Sequence, residues 1–177
     1  MIQLSSVLIL AIFVFALIGY LRGFDKELIA LSGIMLALFT LQQFDSFFVN
    51  LTSGSDEPGG TLFYVQALIL LLVTFFAYQT PPGRFSRMAG NTRRGRDVLQ
   101  NRLLGVLTGG FNGYVVFGSL WWFLDNLGYP LEDIQPPVPD SASEAWLDNL
   151  PLAWLLEGNL LTLFVIGLFL FILIAII

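Results

Sequence analysis

Five apolar runs, none interrupted by Asp, Glu, Lys or Arg, divide this chain: residues 4–21, 28–41, 62–78, 103–124 and 160–177. A helix needs about 20 apolar residues to cross about 30 Å of hydrocarbon. Backbone groups in lipid must find their hydrogen bonds inside the segment, so each run reads as a helix rather than a strand. The composition leaves few alternatives. Hydrophobic residues make up 56% and charged residues 12%, where soluble proteins carry about 25% charged, and so much apolar surface cannot be hidden in one small core. The expected fold is an all-α integral membrane protein with five transmembrane helices. The first run has no Lys or Arg before it and no small-residue cleavage pattern after it, so it reads as a retained span. The second run is short for a span and reaches spanning length if Gln42 and Gln43 sit at the headgroups. A re-entrant segment is its alternative reading.

The charges are segregated. All eight bases fall in two places, Arg22 and Lys26 after the first run, and Arg84, Arg87, Arg93, Arg94, Arg96 and Arg102 between the third and fourth. Most acids lie in the other two connections, and only Asp25, Glu27 and Asp97 sit among the bases. Cytoplasmic loops carry the excess of Lys and Arg. That rule puts the N-terminus outside, the two basic loops inside and the C-terminus inside. The alternation requires the short second run to cross.

The second loop, 53–60, is a Gly- and Ser-rich turn segment. The fourth is longer and begins with Pro130, Pro136, Pro137 and Pro139. It continues with Ser141 and Glu144 in a capping-box spacing. Trp146, Leu150 and Trp154 then recur every four residues. The spacing predicts a short interfacial amphipathic helix near 141–156, broken or restarted at Pro151. With Trp121 and Trp122 at the end of the fourth run, all four tryptophans map to one membrane face as interface anchors.

Cys and His are absent, which removes disulfides, Cys/His zinc sites, imidazole-ligated haem and His-based triads. No cofactor, metal site or enzymatic activity is expected. Proton relays and ion-coupled carriers place ionisable residues at membrane depth, and the five runs hold none. Gln66, Thr74, Thr108, Asn112 and Thr162 read as interhelical hydrogen-bonding residues. Gly105, Gly109 and Gly113 recur every four residues in the fourth run, and Gly19 and Gly23 repeat the spacing at the end of the first. Glycine at this interval lets two helices approach closely, either within one chain or across a dimer. The arginine loop fits anionic lipid, each charge contributing about 1 kcal/mol near the surface, rather than nucleic acid.

Two blocks carry a family likeness. Gly19-Tyr20-Leu21-Arg22-Gly23-Phe24-Asp25-Lys26-Glu27-Leu28 resembles the end of the first span and the first cytoplasmic turn of the colicin V production protein (CvpA) family. The stretch from Asn101, Arg102 and Gly105 through Gly109 to Gly113 resembles that family's second block, and 143–156 resembles its short helix ending in Pro-Leu. The likeness implies a four-span membrane domain over 1–157, with 158–177 an additional C-terminal transmembrane helix. Ser5 and Ser6 stand where the family often has Asp, Asn101 where it usually has Asp, and Asn112 where it often has a base. A role resting on those charges is not expected here. The family is linked to bacterial envelope processes and toxin export without an agreed biochemical activity.

The leading expectation is a non-catalytic protein of the bacterial inner membrane, a scaffold or subunit of an envelope or secretion-related assembly. Its expected partners are other membrane subunits or further copies of itself. One alternative is an accessory subunit of a bioenergetic or photosynthetic complex. Another is a channel or small-solute transporter.

Overall fold

The computed structural model describes residues 3–79 and 95–176, and among the described residues the regular structure is helical throughout. The main helices are α1 (Leu4–Arg22), α2 (Phe24–Gln43), α3 (Asp45–Thr52), α4 (Pro58–Tyr78), α5 (Gly95–Asn126), α6 (Pro151–Leu155) and α7 (Leu160–Ile176). Two 3-10 turns, Glu144–Asn149 and Glu157–Asn159, flank α6. Helices α1 and α4 and the Val98–Asn126 part of α5 are long and apolar enough to cross a membrane. The pair α2 and α3 qualifies only taken together, and it is bent by 64°. Among the described residues there are thus three candidate spans, or four if the bent pair is one. The C-terminal run forms a helix, but its described apolar part, Glu157–Leu170, falls short of that length.

The second element is longer than its apolar run. Helix α2 starts at Phe24 and takes Asp25, Lys26 and Glu27 into its first turns. One residue, Gly23, joins α1 to α2, with φ +83° and ψ 161°, a region essentially reserved for glycine. Its N–H closes α1 on the Gly19 carbonyl at 2.8 Å. A connection of one residue leaves no loop for the neighbouring charges to occupy.

Contacts between ends show how the long helices run. At one end Ser5 meets Ser143 across 2.9 Å, and a Cβ on Gly59 would touch Pro130 at 3.4 Å. At the other, Arg22 reaches the last residue of α4, Tyr78, and Gly23 lies against Asn101 near the start of α5. Helices α1, α2, α4 and α5 therefore alternate in direction. The core between them holds Ile34, Met35, Leu38, Leu70, Val115, Val116 and Leu155. The opposite faces of α1 and α4 expose Leu10, Phe13, Leu17, Leu68, Phe75 and Phe76, apolar bands suited to lipid.

The 141–156 segment restarts at Pro151, where a break is expected, but its first half is a 3-10 turn and its apolar residues face the bundle. Glu144–Asn149 is a 3-10 turn, Leu150 is extended (φ −69°, ψ 148°), and Pro151 starts the short helix α6. Proline restricts the residue before it to extended conformations, so the four-residue spacing of Trp146, Leu150 and Trp154 does not become one helical face. Instead Leu150, Pro151, Leu152 and Leu155 are buried against the bundle. Pro151 fills the notch opened by Gly118, where a Cβ would overlap the proline ring.

Candidate functional site

Among the described residues, a buried polar cluster is formed at the α1–α2 elbow. The Gly23 turn sets Arg22 in the last turn of α1 and Glu27 in the first turns of α2. Glu27 is fully buried and Arg22 is only 17% exposed, and their side chains pair at 2.8 Å from Nη1 to Oε1. The second carboxylate oxygen accepts from the Tyr78 hydroxyl at 2.7 Å and from the Asn112 Nδ2 at 2.9 Å. Asn112 Nδ2 also reaches the Glu27 carbonyl oxygen at 3.1 Å. Arg22 donates its other amino group to the Tyr78 carbonyl at 2.9 Å, capping the end of α4, while its guanidinium stacks 4.3 Å from the Tyr78 ring centre. The Phe15 ring closes the side of Tyr78 edge-on at 5.5 Å.

A buried carboxylate is tolerated only when paired and hydrogen-bonded. Here each oxygen is occupied, the charge is matched by one guanidinium, and the partners come from α1, α4 and α5. One side chain on α2 thus ties four helices together. Asn112 is fully buried, and its Oδ1 has no hydrogen-bond partner. Turning the amide over would aim that oxygen at the Glu27 carboxylate, so the amide orientation follows from the charge beside it.

Below the elbow, α1 and α5 form the most extensive helix pair. A Cβ on Gly105 would come within 3.0 Å of the Gly23 backbone, one on Gly109 within 2.9 Å of Gly19, and one on Gly113 within 2.8 Å of the Ala11 carbonyl oxygen. Gly19, Gly23, Gly105, Gly109 and Gly113 are thus brought into one seam, filled within the chain. Asn101 packs its amide over Gly23, where a Cβ would come within 2.5 Å. Ser5 is buried on Ser143.

The other residues singled out from the sequence lie apart. Arg84, Arg87, Arg93 and Arg94 lie outside the described residues, and so does the side chain of Arg96. Arg102 is exposed and stands 5.4 Å from the centre of the Tyr20 ring. Phe24 and Lys26 are half-buried. Trp121 departs from its expected place at the lipid interface. It is 3% exposed, packed with Leu8 and Leu150, and donates to the Tyr129 hydroxyl at 3.1 Å. Burial pushes the Tyr129 hydroxyl up to about 12, opposed by the Trp121 hydrogen bond and assisted by Asp125. Trp122, Trp146 and Trp154 are half-buried; Trp154 donates to the Tyr114 hydroxyl at 3.0 Å, which donates to the Asn149 carbonyl. The Ser141 hydroxyl accepts from the Glu144 N–H at 3.3 Å, and the Glu144 carboxylate takes the Asp140 N–H, one residue earlier than the usual capping box.

Sequence reasoning placed Glu27 in a basic loop and Tyr78 at the edge of a span, so it missed both. The available signal was the glycine four residues before Glu27. A glycine elbow that short pulls the following residues into the next helix, and a carboxylate in a helix's first turn complements the helix dipole.

Residues 4–151 match the model of a protein family described as Colicin V production protein. No curated protein and no solved structure matches the chain.

Proposed function

The chain belongs to the colicin V production protein family, and on that premise we propose that it is a non-catalytic multi-pass protein of the bacterial inner membrane. It works as a scaffold or subunit of an envelope or secretion-related assembly, through helix packing. In this arrangement five helices cross, with the N-terminus outside and the arginine loop on anionic lipid inside.

One observation carries the reading. The ionisable pair at the elbow, Arg22 and Glu27, is closed on Tyr78 and Asn112, so it stiffens a four-helix frame instead of lining an open path. Such a frame offers its outer apolar faces to neighbours. Crosslinking in native membranes followed by purification in mild detergent tests this. The expected result is a complex with other membrane subunits or further copies of the chain. A stable, partner-free monomer would overturn it.

A second reading, transport, is favoured by the same carboxylate, because buried ionisable groups often mark ion pathways. It requires Glu27 to release Arg22 during a cycle. Solute or proton flux in liposomes that vanishes in Glu27→Gln would favour this reading over the scaffold.

A further inference from the structure

At the end of the bundle opposite the elbow lies a pocket of 240 Å³ between the α2–α3 bend, α4 and the end of α5. This is below the range of about 300–1,000 Å³ typical of drug-sized ligands, so it fits a small group. Gln42, Asp45, Gln66, Trp122 and Asn126 supply its polar and aromatic lining, over a floor that includes Leu38. We propose that this pocket binds a primary ammonium group, carried by a lipid headgroup or by a small free amine.

Four features point to that chemistry. The first is an unmet acceptor: Gln66 is 7% exposed, and its Oε1 has no hydrogen-bond partner. Leaving such a group unpaired costs about 1–3 kcal/mol, and Gln66 lines the pocket. The second is the field. Helices α2 and α5 both end here, each without a basic residue in its last turn, and each C-terminus acts as about half a negative charge, of which the start of α3 at Asp45 offsets one. Asp45 adds a full one, and no Lys or Arg occurs anywhere in 27–83 or 103–177. The third is Trp122 in the lining, the side chain whose ring attracts ammonium groups best. The fourth is the ligand set: a single carboxylate with neutral amides is too poor for a divalent ion, which takes six or more oxygens in the case of calcium. It suits a monovalent cation with three N–H donors. A trimethylammonium group has no N–H to offer Gln66 and is disfavoured.

The full chain, purified with a mixture of phosphatidylethanolamine and phosphatidylglycerol, is examined by native mass spectrometry. In a second arm the chain sits in nanodiscs of phosphatidylglycerol alone and is titrated with ethanolamine or choline while its melting temperature is followed. Retention of phosphatidylethanolamine over phosphatidylglycerol assigns the ligand to a lipid. A rise in melting temperature with ethanolamine but not choline assigns it to a free amine. Either supports the site, and absence of both overturns it. Asp45→Asn and Gln66→Leu should each abolish the selective binding. Asp45 is exposed at the start of α3, so Asp45→Asn should lower the melting temperature at most slightly, through lost helix-dipole stabilisation. Gln66→Leu, which removes a buried unpaired oxygen, should melt at or above the parent temperature. Unchanged binding in both variants also overturns the proposal.

Discussion

At the residue scale, Glu27 decides most. It sits 51 positions from Tyr78 and 85 from Asn112, and its sequence neighbours include Lys26 and Arg22, so the Gly23 elbow marks it as helical but nothing local names the partners that bury it. Removing one partner of a buried ion pair costs about 3–5 kcal/mol, because the other charge is left stranded, whereas replacing both with apolar groups can be neutral. Glu27→Leu should therefore lower the melting temperature in mild detergent sharply, and Arg22→Met with Glu27→Leu should recover much of the loss. A double variant as unstable as the sum of the singles would show that the pair acts independently. Tyr129 gives a second handle. Burial pushes its hydroxyl up to about 12 in the folded protein, from about 10 when unfolded. The neutral form is therefore favoured by folding, and its contribution is complete below pH 10 and lost as pH rises through 12. Thermal scans across that window should show an alkaline loss of stability that is smaller in Tyr129→Phe.

At the element scale, the glycine spacing in α5 was legible in the sequence, but the surface it meets was not. Period four specifies a groove and says nothing of whether the partner helix belongs to the same chain. The structure seats α1 in it, and neighbouring glycines then differ sharply. A Cβ on Gly109 would collide with the Phe15 carbonyl oxygen, while one on Gly110 would touch the Ala16 Cβ at 3.5 Å, an ordinary contact. Gly109→Ala should wedge α1 from α5 and lower the melting temperature markedly. Gly110→Ala should be neutral or stabilising, by up to about 1 kcal/mol of helix propensity. Equal losses in the two variants would mean that the seam is looser than its backbone contacts. The 141–156 segment shows the same limit. The break at Pro151 was legible, because proline forces Leu150 out of helical conformation, but the burial of Leu150, Leu152 and Leu155 against the bundle was not, since the notch that Gly118 opens for Pro151 lies 33 residues away in the sequence.

At the scale of the whole molecule, the sequence showed membrane helices because hydropathy is a sum over many residues and survives local errors. It was weaker on how many helices cross, because the margins of a span depend on a few charges. The elbow lengthened α2 by absorbing Asp25, Lys26 and Glu27, yet α2 continues through a 64° bend into α3, the shape of a broken span or a re-entrant loop. With the N-terminus outside, the two shapes differ in the side on which residue 53 emerges, and the later connections invert with it. The chain contains no cysteine, so single introduced cysteines report sidedness without a background. If α2 crosses with the N-terminus outside, Ser53→Cys and Ser141→Cys should react with a membrane-impermeant maleimide in intact spheroplasts. Ser86→Cys, in the arginine loop, should react only after permeabilisation. If α2 turns back with the N-terminus still outside, α4 carries the chain out again, so Ser53→Cys and Ser141→Cys become protected and Ser86→Cys is labelled. Ile176→Cys applies the same logic to α7, which follows the matched residues 4–151 and packs against α2 and α6. Protection of that cysteine places the end of α7 inside with the arginine loop and gives five crossings. Labelling in intact spheroplasts leaves four, with α7 returning to the outer face beside the segment that carries Trp146 and Trp154.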